Sequence, residues 1–188
     1  NTPEGDVASD FAKDMLPVGN EVTTRSYGMD HFDRQVASVS RNINGVDVDY
    51  GLVALDQQMS SYYTRYGEHR DPARHAQYKE YYSEDRPYQF GSTQEPLTPE
   101  QFDAITVKHD NFTQVYKDFK EGNATQEDFD TATANLYGNV DDVVRYRHQL
   151  KNWNRPIEME SKYEVRGALK ILAEDPVTKD NFNKVVRN

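Results

Sequence analysis

Between Tyr62 and Tyr88 the chain places seven of its thirteen tyrosines, interleaved with Arg65, Arg70, Arg74, Arg86, His69 and His75. Phenol rings give large contact area with little entropy loss, and guanidinium groups add forked hydrogen bonds and stacking. The mixture suits gripping another molecule more than transforming one. Tyr63, Arg74 and Tyr81 fall off the apolar stripes and read as surface groups, with Arg70 and Arg86 at the margins of the same region. The competing reading is a tyrosine-rich core with snorkelling arginines. His69 and His75, near Glu68 and Asp71, are the closest approach to a divalent-metal or acid–base cluster. Their separation fits no ligand spacing on one helix face, so solvated loop charges are the favoured reading and no cofactor is expected.

A second basic and aromatic stretch runs from Arg145 to Arg155 and holds the chain's single tryptophan. Arg145, Arg147 and Trp153 there could receive an acidic group, a phosphate or a sugar. They equally suit a helix C-terminus, where cations meet the negative end of the macrodipole. His109 stands on an apolar helical stripe and reads as a buried or boundary histidine hydrogen-bonded to a neighbour.

Several chemistries are excluded. The chain has no cysteine, so thiol nucleophiles, disulfides and thiolate-ligated metals are absent. It has no phosphate-cradling glycine loop, no Gly-x-Ser-x-Gly elbow and no His-Glu-x-x-His helix. No histidine follows a glutamate by three positions, as a di-iron bundle requires. Asp47-Val48-Asp49 opens like a calcium loop, but Tyr50-Gly51-Leu52 ends the match. The net charge of −10 opposes non-specific binding to nucleic acid and to anionic membranes. No apolar run approaches the roughly 18 residues of a membrane helix, so membrane insertion is not expected.

The elements that must position these groups read as helices. Only about a fifth of the residues are Ile, Leu, Val or Phe, so tyrosine must supply buried area, each hydroxyl finding a partner or water. A helix is expected over about 6–16, ended by Pro17 and Gly19. Another follows Gly28, with Phe32, Val36, Val39 and Ile43 on one face and Asn44-Gly45 as its stop. A third starts near Asp49 and carries Leu52, Leu55, Met59, Tyr62 and Tyr66. Asp71-Pro72 starts a fourth, reaching about Ser83. Thr98-Pro99-Glu100-Gln101 is a capping box opening the strongest stripe: Phe102, Ile105, His109, Phe112, Tyr116 and Phe119. Thr125 with Asp128 starts the next helix, with Phe129, Ala132 and Leu136 inside and Gly138 as its stop. Asn139 caps another, and further helices are expected after Pro156 and near Thr178.

The reading that follows is an all-α fold: an elongated bundle of seven or eight helices. Residues 1–86 form a tyrosine-rich lobe, 87–97 a loop or linker, and 98–188 a second helical lobe. The expected function is non-catalytic binding of another protein, in an exported bacterial effector, a periplasmic interaction protein or a virion component. Absence of cysteine fits such secreted or virion settings. Two alternatives stand beside it: an enzyme or carbohydrate-binding protein with a Tyr/His/Arg cleft, and a structural protein that assembles with itself through the Phe102 stripe.

Overall fold

Asn44 and Gly45 turn the chain back on itself in the computed structural model, which describes residues 2–62, 71–78, 81 and 95–153. Both have positive φ, 53° and 84°, the backbone of the tight hairpin turns that Asn-Gly favours. Ile43 therefore faces Val46, and strands β2 (Gln35–Ile43) and β3 (Val46–Asp49) run antiparallel. Strand β1 (Thr23–Met29) pairs antiparallel with the other edge of β2, giving the order β1-β2-β3.

This sheet overturns the all-α expectation. The segment after Gly28 is not a helix, and the molecule is not a helical bundle but a mixed α/β fold. The physical reason lies in one buried charge. Arg41 and Ile43 of β2 and Val48 of β3 turn to the body of the protein, whereas Asn42 and Asp47 pair outside it. Arg41 interrupts the apolar alternation that marks a half-buried strand. It is tolerated there, only 7% exposed, because its guanidinium holds the Asp130 carboxylate in a forked pair at 3.0 and 2.5 Å and donates to the Met15 carbonyl at 3.2 Å. With Arg41 discounted, the spacing of Val36, Val39 and Ile43 imitates a helix.

The helices among the described residues are α1 (Pro3–Met15), α2 (Tyr50–Asp56), α3 (Pro72–Tyr78), α4 (Pro99–Lys120), α5 (Gln126–Tyr137) and α6 (Val140–Trp153). Their starts follow the local chemistry. Thr98 accepts from the Gln101 amide while Gln101 returns a bond to the Thr98 amide. Thr125 and Asp128 make the same reciprocal pair. Such caps stabilise a helix by ~1 kcal/mol each. Asp71 accepts from the Arg74 amide ahead of Pro72. Helix α2 is shorter than its apolar stripe implies: it stops at Asp56, and Gln58 turns left-handed at φ 59°. The expected helices after Pro156 and near Thr178 lie outside the described residues.

Residues 1–148 make one compact unit; of the second, 149–188, only the last turn of α6 is described. The first unit has one core. Phe11 and Met15 of α1, Ile43 and Val48 of the sheet, Leu52 and Val53 of α2, Phe112 of α4 and Phe129 and Leu136 of α5 all belong to it. Helices α2 and α5 pack on β2 and β3. Aromatic rings bind the layers: Phe112 lies 5.6 Å from Phe129 and meets Tyr137 edge-on at 5.8 Å, and Phe119 stacks on Phe129 at 5.3 Å. The buried tyrosines Tyr78, Tyr137 and Tyr146 each place the hydroxyl on a partner: Asp49, Asp56 and Thr106 respectively.

Candidate functional site

Asp49 is the last residue of β3 and the N-cap of α2, where its Oδ1 accepts from the Gly51 amide at 2.9 Å. The same carboxylate receives Arg74 of α3 in a forked pair, Nη2 to Oδ1 at 2.6 Å and Nε to Oδ2 at 3.0 Å. Tyr78, one turn further along α3, donates to Asp49 Oδ2 at 2.7 Å and accepts from Arg74 Nη2. Burial, then the Asp49 charge, pushes the Tyr78 hydroxyl far above its ordinary pKa. Burial is the largest influence on Arg74 and works against its charge, but Asp49, Tyr78 and Tyr27 together outweigh it and keep the guanidinium ionised. Gly51 leaves room for this close approach. A Cβ there would lie 2.5 Å from the Tyr78 hydroxyl and 2.9 Å from Arg74 Nη2.

The neighbouring groups extend the network toward β1. Tyr62 and His75 Nδ1 are hydrogen-bonded at 2.6 Å, and the Tyr62 ring meets Tyr78 edge-on at 5.4 Å. Asp71, at the start of α3, accepts from Tyr27 of β1 at 2.7 Å and pairs with Arg25 at 3.3 Å. Tyr27 first, and then the Arg74 amide, hold the Asp71 carboxyl below its usual range.

A second cluster gathers on Asp56 at the end of α2, a carboxylate with no exposed surface. Tyr137 donates to Oδ2 at 2.7 Å. Arg147 Nη2 reaches Oδ1 at 3.0 Å and the Asp56 carbonyl at 2.9 Å. Gln57 donates to the Tyr137 oxygen at 2.8 Å. His109 stacks on Tyr146 at 5.0 Å, and its Nε2 stands 3.7 Å from Asp56 Oδ2. That nitrogen is buried with no hydrogen-bond partner among the described residues, which corrects the expectation that a neighbour binds it. Burial lowers the His109 pKa, with Asp56 opposing and Arg147 reinforcing the shift.

The residues singled out in the sequence thus fall into separate places. Arg74 belongs to the Asp49 cluster and Arg147 to the Asp56 cluster. Tyr81 packs against the core with the Arg147 guanidinium 5.9 Å from its ring centroid. Arg145 is a strap on the chain ahead of α4: it donates to the Glu95 and Pro96 carbonyls and to Asp142. His75 is held by Tyr62 and does not enter a group of three metal-ligating side chains; none is found among the described residues. Tyr63, His69, Arg70 and Arg86 lie outside the described residues, as does the side chain of Trp153 at the end of α6.

The region that sequence reasoning passed over is the β1–β2 hairpin. Six of the seven β1 residues are exposed, only Tyr27 being half-buried. β1 packs chiefly on β2, with Tyr27 and Arg25 tying it to Asp71. At the tip, Met29 is 55% and Phe32 65% exposed. Phe32 was assigned to an inward helical face; it points out. The available signal was Asp30-x-x-Asp33-Arg34 between runs rich in Thr, Ser and Val, which is turn chemistry between strands.

Comparison of the chain with family models, with curated proteins and with solved structures gives no match. No helix among the described residues is long and apolar enough to cross a membrane.

Proposed function

We propose that this protein is a non-catalytic protein-binding protein whose contact element is the β1–β2 hairpin. The observation that supports this reading is the exposure of β1, all but Tyr27, beside a strand edge that no other strand pairs among the described residues. An edge strand offers unpaired backbone groups, and natural proteins cover or blunt such edges unless they are used. Here the blunting is partial: the register slips between Ser26 and Met29, with Gly28 at φ 99°. That leaves Thr23–Ser26 as a stretch paired with β2 in unbroken register.

The alternative of an enzymatic or sugar-binding cleft draws less support. Of the described Tyr, His and Arg side chains of the 62–88 region, Arg74 and Tyr78 are bonded to Asp49, Tyr62 and His75 to each other, and Tyr81 packs against the core. A group already saturated by internal carboxylates is poorly placed to receive substrate. Self-assembly through the Phe102 stripe is likewise less favoured, because Ile105 and Phe112 of that stripe are buried in the chain itself.

The test is retention of a partner from an extract of the source cells by the immobilised chain and by Thr24→Pro, which removes a backbone donor from β1. A partner retained by the parent and released by a variant of equal melting temperature supports the reading. Equal retention by both removes the hairpin from the contact.

A further inference from the structure

The tip of the hairpin is more ordered than a surface turn needs to be. Asp30 accepts from the Phe32 amide at 2.8 Å and the Arg34 amide at 2.9 Å, and its Oδ2 takes Arg34 Nε at 2.7 Å. The Asp30 amide closes the loop by donating to the Arg34 carbonyl at 2.8 Å. Asp33 fills the left-handed position at φ 59°, a place suited to Asp, Asn or Gly. Turn chemistry therefore accounts for Asp30 and Asp33. It asks nothing of Phe32.

Yet the Phe32 ring is flanked by two neighbouring side chains. The Arg34 guanidinium lies 5.1 Å from its centroid and the His31 ring 3.7 Å away, while 65% of the residue stays open to water. A rigid exposed aromatic loses little freedom when it enters a pocket, which is the character of an interface anchor. The charge around it selects the pocket. Arg34 is committed to Asp30, so between Asp30 and Arg34 two carboxylates face one guanidinium and one negative charge remains, on exposed Asp33. The whole chain carries −10. An anionic membrane repels such a tip, and a basic protein attracts it.

We propose that Phe32 is the anchor of this interface and inserts into an apolar pocket with a basic rim on the partner protein, Asp33 meeting that rim. This rests on the protein-binding reading above and adds the residue, the mode and the partner's chemistry. The probe is a photo-crosslinking residue, p-benzoylphenylalanine, placed at Phe32 or at Val107, an exposed position of α4, in the full chain added to source-cell extract. The expected result is one basic protein joined through position 32 and not through 107. Purified, it binds the parent chain roughly 30-fold more tightly than Phe32→Ala, the loss typical of a central anchor. Asp33→Asn weakens binding several-fold, more at low salt than at high. Variants are compared only where their melting temperatures equal the parent's; Phe32→Leu, which keeps apolar bulk, retains most of the affinity.

Crosslinking at 107 but not at 32 overturns the anchor and moves the contact away from the hairpin tip, while protein binding itself still stands. Absence of adducts at position 32, at 107 and at further exposed positions on α1 and β1 overturns both. An adduct only with a second copy of this chain, or Phe32-dependent sedimentation with phosphatidylcholine and phosphatidylglycerol vesicles, replaces the proposed partner and sinks the assignment.

Discussion

The hairpin tip and the Asp56 junction are built from the same parts. Each has an aspartate paired with an arginine, a guanidinium beside an aromatic ring, and a histidine against a ring. At the tip these are Asp30, Arg34, Phe32 and His31, all within five residues. At the junction they are Asp56, Arg147, Tyr81, His109 and Tyr146, gathered from α2, α4, α6 and the chain after α3. The difference is water. Arg34 is 72% exposed, whereas the Asp56 carboxylate is fully covered. An exposed ion pair contributes at most about 1 kcal/mol, but removing one partner of a buried pair costs ~3–5 kcal/mol. One set of residue types therefore serves as structure in one place and as a free surface in the other.

The sharpest way to break the comparison is Asp56→Ala. It strands Arg147 and the Tyr137 hydroxyl and should lower stability by ~3–5 kcal/mol in a denaturant titration. A loss under about 1 kcal/mol would mean that the junction behaves like the tip. Gly51→Ala comes next, at ~1–3 kcal/mol, because the added methyl displaces Tyr78 and Arg74 from Asp49; Tyr78→Phe combined with it should recover part of the loss. Gly45→Ala should cost ~1 kcal/mol, since φ at 84° is strained for any side chain.

A pH titration probes the buried junction through His109. The folded pKa of His109 lies below its ordinary 6.5 because burial disfavours the imidazolium. Between those two values the unfolded chain binds more protons than the folded one. Stability must then rise with pH through that window, and fall as acid is added from pH ~6.5 downward. His109→Phe should flatten this part of the profile. The smallest effect is expected at the tip itself: Phe32→Ala should move stability by no more than about 0.5 kcal/mol. A larger loss in thermal unfolding would show Phe32 to be structural and would remove it as an anchor.

Local chemistry in the chain determined the helix starts. Thr98 with Gln101, Thr125 with Asp128, and Asp71 before Pro72 act across three or four residues, and each stands where the sequence put it. The stripe from Phe102 to Phe119 was equally readable, because a 22-residue amphipathic helix repeats its period many times. The tertiary structure alone decided the sheet. Asn44-Gly45 serves both as a helix stop and as a hairpin turn, and Arg41 is an inward residue only because Asp130, 89 positions away, meets its charge. It also decided which arginines are free. Arg74, Arg145 and Arg147 read as surface cations until Asp49, the Glu95 carbonyl and Asp56 are folded against them. A charge carries no mark in the sequence of the partner it will find, since burial and pairing are set by segments distant along the chain.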